Sequence, residues 1–438
     1  MKAVNQQASV FELNGVPNFW QALPLALQHV VAMIVGCVTP SLIIASTAGL
    51  SSSDCVILVQ AGMTMSALTT LIQLFPIGKK GGFQLGSGLP MIMGISFAYL
   101  PSMQAIAEDS DIATILGSMI VGGLIAMIVG CFMTKIRRFF PPLIAGTVVF
   151  TIGLSLYPTA ITYMAGGSAS PDFGSWKNWL IAIITLAVVT ILNHFTKGFL
   201  KLASILIGII VGYIIALCIG MVDFSNVASA GVFQLPKLMY FGINFEISAC
   251  VAMGLLFAIN SIQAIGDFSA TTAGGMDREP TGRELQNGIV SYGLTNILCS
   301  FFGGLPTATY SQNVGIVATT KVINRCVLGL AAIILLIAGL VPKFSALLTT
   351  IPYCVLGGAT VSVFASIAMT GIKLVMTENM TFRNTSIVGL SVALGMGVTQ
   401  VSNVLGQFPE WVITVFGKSP VVVATIVALL LNISLPKE

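Results

Sequence analysis

Apolar runs of roughly membrane-span length recur along this chain, each ended by a short polar or charged stretch. A helix of about 20 apolar residues crosses a bilayer core. Cut at that length, the chain predicts fourteen segments, near 20–40, 55–75, 91–107, 112–133, 142–162, 178–195, 202–221, 247–270, 284–303, 312–322, 326–348, 351–372, 384–403 and 419–435. The third and tenth, 91–107 and 312–322, are short and interrupted. Each follows a Gly/Pro-bearing polar stretch, Gly86-Ser87-Gly88-Leu89-Pro90 and Gly303-Gly304-Leu305-Pro306-Thr307. Discontinuous helices of this kind sit at the centre of secondary transporters. The predicted fold is an all-α polytopic membrane protein with short extended strands at the two broken segments.

The halves echo one another. Residues 141–150, Pro-Pro-Leu-Ile-Ala-Gly-Thr-Val-Val-Phe, resemble 352–364, Pro-Tyr-Cys-Val-Leu-Gly-Gly-Ala-Thr-Val-Ser-Val-Phe. The broken segments recur at about the same offset, close to half the chain. An offset of seven spans inverts the second copy, because seven is odd. This predicts two inverted seven-span repeats.

Charge adds a direction. With the amino terminus in the cytoplasm, the inner side holds Lys2, Lys79, Lys80, Lys135, Arg137, Arg138, Lys197, Lys201, Arg278, Arg283, Lys321, Arg325, Lys373, Arg383 and Lys437. The outer side holds only Lys177, Lys237, Lys343 and Lys418. Fifteen against four is a strong positive-inside bias, and it places both termini in the cytoplasm. Composition agrees: 8% of residues are charged, against about 25% in soluble proteins. The net charge of +4 is a topology signal and carries no nucleic-acid footprint. Residues 1–17 lack the apolar core of a cleavable signal. The eight cysteines are scattered, with no CxxC or Cys/His cluster, and read as small buried hydrophobes. Trp20, Trp176 and Trp179 fall near span ends, as in an aromatic belt. The stretch 404–418, with Phe408, Trp411, Val412, Val415 and Phe416, reads as a short amphipathic helix at the interface.

Four constellations could carry chemistry. The first is Ser311-Gln312-Asn313-Val314-Gly315 running on to Thr320-Lys321. Thr307-Ala308-Thr309-Tyr310 favours extended backbone, so a helix is expected to start near Ser311, with free N–H groups at bilayer depth. Amides both donate and accept hydrogen bonds, as a nucleobase edge does. A polar helix-to-helix contact is the plainer reading. The second is Gly94-Ile95-Ser96-Phe97, where Phe97 either stacks on a planar ring or is ordinary core. The third is Gln263 and Asp267, one helical turn apart on one face. Asp267 is the only acid placed deep in a span, which makes it a candidate proton carrier or a structural hydrogen-bond acceptor. The fourth is Gln28-His29, where the imidazole either shuttles a proton or is satisfied in the packing. No ATP-binding loop, metal-ligand spacing or hydrolase motif occurs, and no cofactor is implied. An enzyme or sensor is disfavoured, and transport must run on an ion or substrate gradient.

These residues resemble the nucleobase–ascorbate transporter family, the second type of nucleobase:cation symporters. The signature Gln-Asn-x-Gly-x-x-x-x-Thr-Lys is matched at Gln312, Asn313, Gly315, Thr320 and Lys321. Gln28-His29 and Gly94-x-Ser96-Phe97 match as well. The resemblance covers essentially the whole chain and is closest to the bacterial xanthine and urate permeases. It implies a core domain in two parts, 1–133 and 222–348, and a gate domain in two parts, 134–221 and 349–438. It implies a homodimer through the gate domains, in a bacterial inner membrane. Gln312 would grip the base edge and Phe97 would stack on the ring. Backbone N–H groups near Ser96–Phe97 and Ser311–Asn313 would contact base carbonyls.

One departure stands out. Most of the family's purine carriers keep a glutamate where this chain has Gln263, and a second common acid aligns with Tyr292. Gln263 can pair with a purine but cannot titrate. A coupling proton would then sit on Asp267 or His29, with Gln28 and Thr320 supporting the site; sodium is the other candidate ion, and a weakly coupled carrier is the remaining alternative. The phrases Gly-Ser-Gly-Leu-Pro and Gly-x-Ser-Phe-Ala favour an oxidised purine, chiefly xanthine, with a urate or uracil carrier as the alternative. An anion transporter sharing the seven-plus-seven architecture is a further alternative.

Overall fold

The computed structural model describes residues 9–79, 84–133, 141–168, 170–401, 403–409 and 412–436. Lys2, Lys80, Lys135, Arg137, Arg138, Trp411 and Lys437, used in the topology and interface readings, lie outside them. The first half runs through α1 (Phe19–Thr47), α2 (Ser52–Leu74), the short pair β1 (Ile77–Gly78) and β2 (Gln84–Leu85), and strand β3 (Met93–Ile95). A 3-10 turn (Phe97–Tyr99) follows, then α3 (Leu100–Asp109), α4 (Ile112–Cys131), α5 (Pro142–Ser155), α6 (Tyr157–Met164), α7 (Trp176–Phe195) and α8 (Ser204–Cys218). The second half runs through α9 (Ile247–Met276), α10 (Gly282–Phe301), strand β4 (Thr307–Thr309), α11 (Ser311–Thr320), α12 (Arg325–Gly339), α13 (Pro342–Thr349), α14 (Tyr353–Val375), α15 (Phe382–Gln400) and α16 (Pro420–Ser434).

Among the described residues, seven helices are long and apolar enough to cross a membrane, and eight if α12 and α13 count as one span bent by 82°. Pro342 opens α13 and explains the bend, since proline cannot continue a helix into the residues before it. Helices α8 and α16 are apolar but only 15 residues long. Helices α10 and α15, 20 and 19 residues long, are more polar than those seven, with Asn296 and Asn384 among their residues. With the broken segments β3–α3 and β4–α11 these complete the fourteen expected segments, as two seven-span repeats.

Two groups of helices form. Helix α4 packs on α9 and α10, and α12 packs on α1 and α2. Separately, α14 packs on α5, α6 and α7, while α16 packs on α15 and α5. The proline-led segments that echo in sequence, α5 and α14, meet here at backbone distance. A Cβ added at Gly146 would sit 2.6 Å from the Val375 nitrogen, and one at Gly371 would sit 2.2 Å from the Phe150 nitrogen. Small residues are what allow spans to approach this closely in lipid.

Two expectations change. Among the described residues of 404–418 the expected amphipathic helix is reduced: 404–409 form turns, a five-residue helical turn covers Ile413–Gly417, and Val415 is buried. Gly406 and Pro409 keep the described part ahead of that turn out of a helix. The cysteines are free, but not uniformly buried. Cys37, Cys299 and Cys354 are buried, whereas Cys131 and Cys218 are exposed at the last residues of α4 and α8.

Candidate functional site

The broken segments meet backbone to backbone. Strands β3 and β4 pair antiparallel, with Met93 opposite Thr309, Gly94 opposite Ala308 and Ile95 opposite Thr307. The ladder is extended at both ends, by the Tyr310 N–H to the Ile92 carbonyl at 3.0 Å and the Ser96 N–H to the Pro306 carbonyl at 3.0 Å. Both strands are fully buried.

A two-stranded sheet leaves two outer edges, and an unpaired backbone group at bilayer depth is costly. Side chains close both edges. The Thr70 hydroxyl of α2 donates to the Met93 carbonyl at 3.0 Å and accepts the Met93 N–H at 3.0 Å. The Asn296 amide of α10 donates to the Thr307 carbonyl at 3.0 Å and accepts the Thr307 N–H at 2.8 Å. Each closing residue sits one segment before the strand it serves, in matching places of the two repeats. Sequence reasoning missed both. Their only signal was a polar residue mid-span just ahead of each break. Asn296→Leu is expected to lower the melting temperature of the detergent-solubilised protein. It strands one buried donor and one buried acceptor, at about 1–3 kcal/mol each.

Where the strands end, helices begin. Tyr310 caps α11 through its backbone alone, its side chain making no capping hydrogen bond. The first helical bond is the Val314 N–H to the Tyr310 carbonyl at 3.1 Å. The N–H groups of Ser311 and Gln312 are therefore among those a helix cannot satisfy internally. On the other strand, the Ser96 hydroxyl accepts the Ala98 N–H at 3.2 Å. Contrary to expectation, the Ser96 N–H is not open to a ligand, because it extends the strand ladder to Pro306.

A cavity of 170 Å³ lies over this crossing. One wall carries Ser96, Phe97, Gln263, Ser311 and Gln312; the opposite wall, from α5 and α14, carries Val149, Ile152, Ser366 and Thr370. Gln263 is the most telling group, since its side-chain oxygen is buried and unpartnered. Such an acceptor loses free energy until a donor reaches it. The Phe97 ring sits edge-on to Phe364 of α14, 5.2 Å between centroids. One flank of that ring is therefore already covered by the second helix group. Among the described lining residues none is basic or acidic.

Other expected site residues lie behind the cavity. Asp267 accepts hydroxyl hydrogen bonds from Thr309 and from Ser311, the latter at 3.0 Å, so it ties α9 to the start of α11. A carboxylate there also faces the positive end of the helix dipole. Asn313 turns away from the cavity and donates to His29 Nδ1 at 3.0 Å and to the His29 carbonyl at 3.3 Å. An amide nitrogen only donates, so His29 Nδ1 accepts and the ring proton sits on Nε2. Gln28 is half-buried beside it on α1 and does not line the cavity. Gly315 is exposed, with open space where a Cβ would point. Thr320 bonds back to the Ile316 carbonyl at 2.8 Å, and Lys321 ends α11 in a left-handed conformation while pairing with Asp277 at 2.8 Å. The Thr-Lys end of the signature is thus a helix terminus. Tyr292 forms a buried hydroxyl pair with Tyr99.

A second cavity, of 450 Å³, lies at the other end of α14, between Ser46 in the last turn of α1 and Gly49 just after it on one side and Gly166, Asp172 and Tyr353 on the other. Phe97, which lines the first cavity, meets Phe364 of α14, and Tyr353, which lines the second, meets Tyr163 at 4.9 Å between ring centroids.

The chain is 35% identical over 419 residues to a protein named xanthine permease from Bacillus subtilis, covering 95% of this chain and 94% of that one. It is also 35% identical over 417 residues to the uric acid permease PucK of the same organism, covering 95% of both. In fold it resembles the transmembrane domain of a cyanobacterial bicarbonate transporter, BicA, with a TM-score of 0.61 at 15% identity, covering 95% of this chain and 99% of that one. Residues 20–404, the stretch that builds both crossed strands and all the cavity walls, match the Xan_ur_permease model, and the chain belongs to that permease family.

Proposed function

We propose that this protein is a secondary transporter of purine nucleobases, with xanthine the preferred substrate. The observation that carries the reading is the unpartnered Gln263 acceptor, set with Gln312 in a small cavity with no charged side chain among its described lining residues. Its 170 Å³ falls below the roughly 300 Å³ at which drug-sized sites begin. That suits a bare heterocycle better than a nucleoside. Two amides offer both donors and acceptors, matching the N–H and C=O edges of an oxidised purine. Among the described residues no basic side chain lines the cavity, which speaks against an anion as cargo, although an anion carrier shares the fold. The names of the relatives fit xanthine and urate alike. A binding panel of xanthine, urate and uracil on the purified protein tests the choice. Tightest binding of uracil would reverse it.

The two packed groups support alternating access. The core would comprise 1–133 and 222–348, and the gate 134–221 and 349–438. The cavities at the two ends of α14 would open in turn as the core moves against the gate, with the two aromatic contacts as the thin layer between them. Leu390, Leu394, Leu430 and Ile433, exposed on α15 and α16, offer the gate an apolar face for a homodimer in a bacterial inner membrane. The amino and carboxyl termini would be cytoplasmic.

Coupling would fall to Asp267, because Gln263 cannot titrate. Asp267 bridges α9 to Thr309 and Ser311, so its proton would change the hold on the helix start that faces the substrate. Asp267→Asn is expected to leave xanthine exchange in proteoliposomes largely intact. It should remove accumulation driven by an inward proton gradient. Full gradient-driven accumulation in the variant would move the coupling to His29 or to sodium.

A further inference from the structure

Residues 231–245, between α8 and α9, contain neither helix nor strand, yet they are pinned at four points. The Gln234 N–H bonds to the Leu340 carbonyl at the end of α12 at 3.0 Å, and the Met239 N–H bonds to the Phe301 carbonyl at the end of α10 at 2.7 Å. The Asn244 N–H bonds to the Ala113 carbonyl at the start of α4 at 3.0 Å. The Tyr240 hydroxyl donates to Asp54 at the start of α2 at 2.7 Å. The fit is close enough that a Cβ on Gly117 of α4 would sit 1.8 Å from the Asn244 carbonyl oxygen. The segment is therefore a strap across the ends of four helices, all of the group that carries Gln263 and Gln312.

Its side chains divide sharply. Phe241 turns inward, 3.0 Å from where a Cβ on Gly303 would lie. Val232, Phe233, Leu235 and Leu238 turn outward, at 70%, 65%, 64% and 65% exposure. The row continues through Phe245 into Ile247 and Val251 of the spanning helix α9, exposed at 58%, 82% and 45%. An apolar surface of this extent facing water would be an aggregation liability. Lys237 lies within the row, its ammonium 4.6 Å over the Tyr240 ring. A cation held on an aromatic face beside an apolar row matches the headgroup layer, where amphipathic side chains keep one end wet.

We propose that this strap is a lipid-interface anchor: its outward row inserts at the boundary between headgroups and acyl chains and fixes the height of the substrate-carrying helices in the bilayer. The occupant is lipid, because the exposed apolar side chains of the strap lead into Ile247 and Val251, exposed on the membrane-spanning helix α9. The strap's backbone is pinned to helix ends at Gln234, Met239 and Asn244, and its remaining polar groups need the water of the headgroup layer, which sets the depth at the boundary and not within the hydrocarbon. The proposal stands apart from the choice of substrate.

Phe233→Trp and Leu238→Trp, made singly, test it. Both positions are outward-facing, and a melting temperature equal to the parent's confirms folding. The added tryptophan emission is read against the parent protein in proteoliposomes whose lipids carry bromine at shallow or deep acyl positions. Shallow bromines should remove most of the added emission at both sites, deep bromines less, and aqueous iodide little. Strong iodide quenching without bromine quenching would put the strap in water and overturn the proposal. Shielding from both quenchers would overturn it as well, in favour of a contact with a second copy of the chain.

Discussion

Gln312→Ala is expected to weaken xanthine binding to the purified protein while leaving its melting temperature near the parent value. Gln312 is exposed to the cavity and lies in the first turn of α11, where its side chain supports no packing. Removing a neutral hydrogen-bonding partner from a desolvated site costs about 1–3 kcal/mol, or roughly five- to 150-fold in Kd. Gln312→Glu sharpens the test. It keeps the length and the acceptor but loses the donors and adds a charge with no basic partner among the described cavity residues. It should bind xanthine more weakly than Gln312→Ala. Wild-type affinity in both variants would show that the base does not engage this amide, and the proposed site would have to be abandoned.

The second large effect is on folding. Gly94→Val should abolish accumulation of folded protein, because Tyr310 occupies the space beside the crossed strands. A Cβ at Gly94 would stand 2.1 Å from the Tyr310 ring, and one at Gly36 of α1 would stand 1.9 Å from its hydroxyl oxygen. That hydroxyl donates to the Ile95 carbonyl at 3.1 Å, so the ring is locked between α1 and β3. Overpacking costs about 1–3 kcal/mol where neighbours can shift. Here the neighbour is fixed by the strand ladder on one side and a helix on the other. The lock also predicts a coupling. Gly36→Ala should cost less in a Tyr310→Phe background, where the clashing oxygen is gone, than in the parent. Equal costs in the two backgrounds, read as shifts in melting temperature, would rule out this account of the wedge.

The hydrophobic pattern was enough to find the broken segments, because an apolar run that stops short and is preceded by Gly and Pro needs no partner to be recognised. It marked Gln263 and Gln312 as polar groups at bilayer depth; Phe97 read equally as core until the family resemblance assigned it to the substrate, and all three line one cavity. It grouped Asn313 with Gln312 as a substrate contact, and the structure separates them. Neighbouring residues on a helix point about 100° apart, so adjacent amides cannot share a face. Which of the two faces the cavity depends on how α11 is rotated against α1, through the hydrogen bond from Asn313 to His29, 284 positions away.

The amino-acid sequence by itself determined the number of segments, their two interruptions and the polar residues placed at bilayer depth, since hydropathy and helix-breaking residues act within one segment. Tertiary structure alone decided that Thr70 and Asn296 close the strand edges, that the Ser96 N–H is spent on Pro306, that the Thr-Lys ending is a helix terminus and that 231–245 straps four helix ends. Each of these is a hydrogen bond or close packing contact whose meaning comes from geometry in space. No local pattern of apolar and polar positions encodes which distant backbone group a side chain will meet.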